Sequence, residues 1–282
     1  MQDHGIALSG GRTLGYSEQG SHDGTAIMYF HGTPGARIHP SIKIMERIAP
    51  SARIIAIDRP GYGLSDASIG RTLEDWNNDL SELADRLGIG SFSILATSGG
   101  APFALANGHL MPGRVEKVAI VCGVGPAYMQ ELFSAMGEET KMTIMAALHS
   151  PERLAEQITH IHSNPAAYVR QIQENMPREQ REQLSPEIVE LYLKMVAEST
   201  VDPRGIIDDY RIIAQDWGIP FADMRVPIQF WHGDADKTVP ITHAEYLCAQ
   251  IPDATLVRLQ GLDHLATSTG AVPDAMTFLL ER

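Results

Sequence analysis

Cysteine, basic charge and long apolar runs are all scarce in this chain, and each scarcity excludes something. Cys122 and Cys248 are the only cysteines among 282 residues. Both lie in apolar-looking segments and read as small buried hydrophobes, not as a disulfide or a reactive thiol. Lysine and arginine total 22 against 35 aspartates and glutamates, a formal net charge of −13. With no basic cluster to neutralise phosphates, nucleic acid is not an expected partner. No stretch approaches the ~18 uninterrupted apolar residues of a membrane-spanning helix, so no membrane partner is expected. The first residues offer neither a basic n-region nor an apolar h-region, so no signal peptide is expected, and a cytoplasmic location fits. Internal repeats and low-complexity runs are missing too.

What is present suits a packed domain. Hydrophobic residues make up 44% and charged residues 20% of the chain, near the average for soluble proteins, so a sizeable core is expected. The length fits one large α/β domain or two small ones. Arg12–Glu18 reads as an edge strand, Thr25–Phe30 as a short apolar strand ending in a Gly/Pro turn, and Arg53–Ile57 as a buried strand. Between the last two, Ser41–Ile48 has helical spacing. Leu73, Trp76, Leu80, Leu83, Ala84 and Leu87 recur with a period near 3.6, which predicts a helix capped by Thr72 and stopped at Gly88. Strand Phe92–Ala96, helix Gly99–Leu110 and strand Val115–Cys122 follow. Late in the chain come strands Val226–Trp231 and Ala254–Leu259, a helix around Ala244–Ile251 between them, and a helical tail from Pro273 to Leu280. Strands alternating with helices imply a mainly parallel sheet covered on both faces.

From about Gly125 to Gly218 this rhythm stops. The segment has no convincing strand and reads as helical pieces, including Ala127–Met136, Pro151–His162 and Pro186–Glu198, punctuated by Pro151, Pro165, Pro177, Pro186 and Pro203. Met129, Met136, Met142, Met145, Met176 and Met195 all fall here, half of the chain's 12 methionines. They fit either an ordinary helical core or an adaptable apolar pocket under a helical lid.

Four short motifs carry chemistry. Ser98 stands at the centre of Ala96-Thr97-Ser98-Gly99-Gly100, between a strand and a helix. Acyl transfer needs a nucleophile on such a sharp turn, close to the helix's positive end and flanked by small residues; the plain alternative is a Gly-rich turn opening a helix. The usual pattern is Gly-x-Ser-x-Gly, and Ala96 departs from it by one methyl. His31-Gly32-Thr33-Pro34-Gly35 follows the strand Thr25–Phe30. A turn there can aim the Thr33 N–H at the nucleophile, and Gly99 N–H supplies a second candidate oxyanion donor. His31 itself reads as a structural hydrogen-bonding residue. After Val226–Trp231 comes His232-Gly233-Asp234-Ala235-Asp236, where Asp236 is the favoured acid and Asp234 the competitor that would hold the loop. The strand ending at Gly123-Val124-Gly125 carries no acid. His264, in Gly261-Leu262-Asp263-His264, is the expected base, a loop histidine folding back over the sheet edge. His243 competes but reads as a surface residue, and His160 and His162, two apart on a helix, do not suit metal ligation. The order Ser98, Asp236, His264, each after a strand, is a stronger signal than any single residue.

Together these residues resemble the α/β-hydrolase superfamily from about residue 5 to the end. His31–Gly35 looks like its oxyanion loop, Asp58-Arg59-Pro60-Gly61-Tyr62-Gly63-Leu64-Ser65-Asp66 like the loop after the next strand, and Ala96–Gly100 like its nucleophile elbow. The resemblance implies a mainly parallel eight-stranded sheet with helices on both faces, residues 1–125 and 219–282 forming the core. A helical cap, residues 126–218, would be inserted after strand six. It also implies no metal and no organic cofactor. Serine at position 98, where dehalogenases and epoxide hydrolases of this fold carry aspartate, argues against those two activities. The expected function is hydrolysis of a small ester, thioester or lactone through Ser98, His264 and Asp236. Carbon–carbon bond hydrolysis, an aminopeptidase reaction or a lyase step with the same triad are alternatives, as is a non-catalytic fold that binds a small ligand. The partner expected is a small-molecule substrate, and a homodimer is compatible with the sequence.

Overall fold

Ile27, Met28, Tyr29 and Phe30 are all fully buried. In a strand, successive side chains point to opposite faces, so a run like this needs cover on both sides. The computed structural model, which describes residues 2–176, 178–182 and 184–281, supplies that cover. Strands β1 (Gln2–Ala7), β2 (Thr13–Gly20), β3 (Ala26–Phe30), β4 (Arg53–Ile57), β5 (Phe92–Thr97), β6 (Val115–Val121), β7 (Ile228–Gly233) and β8 (Ala254–Leu259) form one sheet in the order β1-β2-β4-β3-β5-β6-β7-β8. β2 is antiparallel to β1 and β4, and every other pair is parallel. This is the eight-stranded, mainly parallel sheet that the resemblance implies.

Helices α1 (Pro40–Ile48), α2 (Leu73–Arg86) and α3 (Ala101–Leu110) follow β3, β4 and β5. Between β6 and β7 lie α4 (Gln130–Ala135), α5 (Glu138–His149), α6 (Pro151–Ser163), α7 (Pro165–Asn175), α8 (Arg178–Glu182), α9 (Pro186–Ser199) and α10 (Pro203–Ala214). The chain closes with α11 (Thr242–Gln250), α12 (His264–Gly270) and α13 (Val272–Leu280). No helix among the described residues is long and apolar enough to cross a membrane.

The sheet separates two apolar layers. On one face Met28, Phe30, Ile55 and Ile94 pack with Trp76, Leu80 and Leu83 of α2 and Phe103 of α3. On the other, Ile27, Tyr29, Ile54 and Leu95 meet Ile42 and Met45 of α1 and Val272, Ala275 and Met276 of α13. Each fully buried side chain of this size contributes about 1.5–3 kcal/mol. The α2 boundaries match the sequence pattern. Thr72 and Asp75 form a reciprocal capping box, and Gly88 follows the helix at φ +67°.

Several local expectations need correction. The edge strand is β1, not the segment Arg12–Glu18, whose residues from Thr13 on belong to β2, a strand with β1 on one side and β4 on the other. Gln2–Ala7 has little apolar content to announce a strand; its backbone ladder with β2 and the ion pair of Asp3 with Arg37 hold it. The methionines of the insertion do not converge on one pocket. Met142 and Met145 are 65% and 44% exposed, whereas Met136 packs with Val239 and Ile213, and Met195 with Ile38 and Tyr192. Pro151, Pro165, Pro186 and Pro203 occupy first turns of α6, α7, α9 and α10; Pro177 lies outside the described residues.

His243 is not at the surface. Its ring is fully buried, with Nδ1 accepting from the Gly125 N–H at 3.0 Å and Nε2–H donating to the Leu132 carbonyl at 3.1 Å. It thus clamps the segment by which the chain leaves β6 for α4. Burial pushes its pKa down to about 4, and does the same to His39. An unfolded histidine titrates near 6.5, so between about pH 6.5 and 4 the unfolded chain binds more protons and folding loses stability as pH falls. Each of the two should cost about 2 kcal/mol by pH 5. In urea unfolding, the fall in stability from pH 7 to 5 should shrink by about that amount in His243→Gln, whose amide can keep both hydrogen bonds. An unchanged fall would assign the effect to other groups.

Candidate active site

Parallel pairing of β3 with β5, in the register Phe30 to Ala96, brings the loops after both strands side by side. This is where the sheet order reverses, since the chain goes from β3 outward to β4 and returns to β5 on the other side. Open α/β sheets place their ligand crevices at the carboxyl ends of strands at such a point.

Ser98 follows β5 with φ +51°, a left-handed conformation costly for a residue with a Cβ. A short turn, Ser98–Gly100, leads into α3. The two glycines are required by contact. A Cβ on Gly99 would lie 2.5 Å from Thr33 Oγ1, and one on Gly100 would lie 2.8 Å from the Phe30 carbonyl oxygen. Ala96, the departure from the usual motif, is fully buried in the apolar layer beside Phe30, where its methyl has room.

The structure brings Ser98, His264 and Asp236 into one hydrogen-bonded chain. His264 is the first residue of α12, capped by Asp263, and so opens a helix where the sequence suggests a loop. Its Nδ1–H donates to Asp236 Oδ2 at 2.6 Å, because the carboxylate can only accept. That tautomer leaves Nε2 to accept from the Ser98 hydroxyl at 3.0 Å. Asp236 Oδ1 accepts from the N–H groups of Thr238 and Val239, both at 2.9 Å. Burial alone would raise the Asp236 pKa; the adjacent His232 ring, the hydrogen bond from His264 and the Val239 N–H outweigh it and hold the carboxyl well below the usual range. Asp234 is exposed and accepts from Gly261 N–H at 2.7 Å, which ties β7's loop to that of β8.

Thr33 sits against the elbow: its nitrogen would be 3.0 Å from a Cβ built on Gly99. Among the described residues no protein acceptor engages the Thr33 N–H in this loop. It is free to meet a charge developing beside Ser98. His31 is fully buried; Nδ1–H donates to the Gly32 carbonyl at 2.7 Å and Nε2 accepts from Arg59 N–H at 3.2 Å. Burial, then the Arg59 charge, pushes its pKa well below the usual value, so the ring stays neutral.

Sequence reasoning passed over two groups at the site. His232, fully buried at the end of β7, donates Nε2–H to the Val239 carbonyl at 2.8 Å and lies 3.4 Å from Asp236 Oδ2. Asp209, on α10, is fully buried and accepts from Thr33 Oγ1 at 2.7 Å, Tyr62 OH at 2.7 Å, Arg59 Nη2 at 2.6 Å and Arg71. Burial raises its pKa, but the Arg59 and Arg71 charges prevail and bring it to about 2. A signal existed for Asp209: it falls between Ile206 and Ile212 at helical spacing, a charge on an apolar stripe.

Comparison with known proteins agrees with this architecture. A family profile described as the alpha/beta hydrolase fold matches residues 25–271. A non-heme chloroperoxidase of Streptomyces lividans is 28% identical over 127 residues, 44% of this chain and 46% of that protein. The dihydrolipoyllysine-residue acetyltransferase component of the acetoin cleaving system of Pseudomonas putida is 25% identical over 263 residues, 93% of this chain and 64% of that protein. The chain therefore matches less than two thirds of the length of either relative. The crystal structure of a hydrolase from Pseudomonas aeruginosa PA01 superposes with a TM-score of 0.75 at 20% identity, covering 99% of this chain and 98% of that one.

The contact between Gly99 and Thr33 yields a test. Gly99→Ala should push Thr33 away from Ser98 and slow the reaction of Ser98 with a fluorophosphonate about 100-fold or more, with circular dichroism unchanged. Wild-type reaction rates in this variant would mean that the Thr33 and Gly99 N–H groups are not the oxyanion donors.

Proposed function

Because the chain belongs to the α/β-hydrolase fold family, we propose that it is a serine hydrolase acting on a small ester, thioester or lactone. The observation that carries this reading is the continuous hydrogen-bond chain from Ser98 Oγ through His264 to Asp236, at 3.0 and 2.6 Å.

In this reading His264 Nε2 takes the Ser98 proton as Oγ attacks the substrate carbonyl. Asp236 holds the imidazole in the required tautomer and stabilises the imidazolium that forms. The N–H groups of Thr33 and Gly99 receive the oxyanion. His264 then gives its proton to the leaving group, and the acyl group remains on Ser98. Water attacks next, its proton passing to His264, and the acid departs as Ser98 Oγ regains that proton. No step requires a metal or an organic cofactor.

Residues 126–218 would act as the cap that shapes the substrate side. An apolar cluster supports this: Ile38 beyond the oxyanion loop and Leu265 beside His264 pack with Tyr192 and Met195 of α9 and Leu184. The non-reacting part of a modest apolar substrate would lie along these side chains.

Intact-protein mass spectrometry after fluorophosphonate treatment tests the assignment directly. Wild-type protein should gain a single adduct that Ser98→Ala loses. His264→Ala should lose most ester turnover, and Asp236→Asn should lower kcat by about 10⁴-fold. An adduct that persists in Ser98→Ala, or wild-type turnover in His264→Ala, would overturn the reading.

A further inference from the structure

The oxyanion loop does not rest on the sheet alone. Arg59, fully buried, donates from Nη1 to the His31 carbonyl and from Nη2 to the Gly32 carbonyl at 3.0 Å. The Gly32 carbonyl and the Thr33 N–H belong to one planar peptide unit and point in opposite directions. A guanidinium that holds the carbonyl therefore sets where the N–H points. Arg59 is fixed in turn by Asp209, which accepts from both Nε at 3.1 Å and Nη2 at 2.6 Å. The same carboxylate accepts the Thr33 hydroxyl at 2.7 Å, and the next residue, Tyr210, donates its hydroxyl to the Thr33 carbonyl at 3.3 Å.

Asp209 and Tyr210 belong to α10, the last helix of the insertion. The approach of α10 to the core is built in: a Cβ on Gly205 would lie 2.5 Å from the Gly61 carbonyl oxygen, and one on Gly61 would lie 2.7 Å from the Gly205 backbone. Two glycines face each other where the helix meets the loop that carries Arg59. Glu198 of α9 adds a second tie, pairing at 2.6 Å with Arg37, which follows the oxyanion loop.

We infer that Asp209 is a positioning residue for the oxyanion donor: through Arg59 and Thr33 it sets the direction of the Thr33 N–H. The end of the insertion is thus part of the catalytic frame. The catalytic consequence rests on the serine-hydrolase reading; the positioning itself does not. Arginine is needed at position 59, because one side chain must reach two carbonyls and a carboxylate with a rigid fork, which a lysine ammonium cannot do.

The test uses Asp209→Asn and Arg59→Lys, with Asp79→Asn as a comparison. Asp79 pairs with Arg12 away from the site at 2.6 Å, so its variant reports what loss of an ion pair does to stability alone. For p-nitrophenyl acetate, both site variants should lose kcat about 10- to 100-fold with KM changed less than about 3-fold, a fraction of the loss expected for removing the donor outright. Affinity for a phenylboronic acid, which forms a tetrahedral adduct on serine, should fall in step with kcat. Asp79→Asn should lower Tm without that split. In 15N-threonine-labelled protein the Thr33 amide resonance should move or broaden in both site variants and stay in place in Asp79→Asn. Folded Asp209→Asn with wild-type kcat and an unmoved Thr33 resonance would overturn the inference. If wild-type protein neither hydrolyses esters nor reacts with a fluorophosphonate, the hydrolase reading falls, and the Thr33 resonance still decides whether Asp209 positions the loop. Should Asp209→Asn fail to fold, Arg59→Lys, which leaves the buried charges balanced, decides the same question.

Discussion

Backbone pairing of β3 with β5 is the constraint on which the rest of the site depends. Parallel strands need a crossover, and here the chain makes two in opposite directions from β3, so the loop ends of β3 and β5 become neighbours. Phe30 opposite Ala96 then dictates that His31–Thr33 and Thr97–Gly99 lie within van der Waals contact. The absence of side chains at Gly99 and Gly100 is a consequence of that proximity, because a Cβ at either would collide with Thr33 or with the Phe30 carbonyl. β7 and β8, further along the same edge, bring Asp236 and His264 to the serine from the other side.

A second constraint is electrostatic. The chain is acidic overall, yet its most deeply buried charges include Arg37, Arg59 and Arg71, each at most 5% exposed. Removing a guanidinium from water costs several kcal/mol unless carboxylates and carbonyls replace the lost hydration. Each arginine is matched from distant parts of the chain: Arg37 by Asp3, Asp58 and Glu198, and Arg59 and Arg71 by Asp209. Such clusters add little net stability compared with apolar packing, but removing one partner leaves an uncompensated buried charge. They therefore specify geometry more than they contribute energy. Here the geometry specified is that of the loop between β3 and α1 against the helices of the insertion.

The insertion is consequently joined to the core by several kinds of contact. His243 holds its start at Gly125 and Leu132, Asp209 and Tyr210 hold its end on Thr33, and Gln180 of α8 donates to Asp263, the cap of the helix that begins with His264, at 2.8 Å. An insertion anchored on the loop after β3 and on the helix that begins with His264 shares its energetics with the residues around Ser98. Changes in its packing should reach them through those contacts.

Much of this was determined by the sequence alone. Strand runs flanked by glycine and proline, the Thr72 cap with its 3.6-residue apolar stripe, and the order of Ser98, Asp236 and His264 after successive strands are local patterns, and local rules suffice to read them. Asp236, the third residue past Gly233, is the aspartate that reaches His264, while Asp234 ties to Gly261. Only the tertiary structure decided the rest. β1 is a strand because β2 offers it a ladder, not because Gln2–Ala7 demands one. His243 is buried because the start of the insertion folds over it, and His264 opens a helix because Asp263 caps it. The partnership of Thr33, Arg59 and Asp209 joins residues as many as 176 positions apart. A buried charge is tolerable only where its partners converge, and that convergence is a property of the packed chain, which no window of sequence contains.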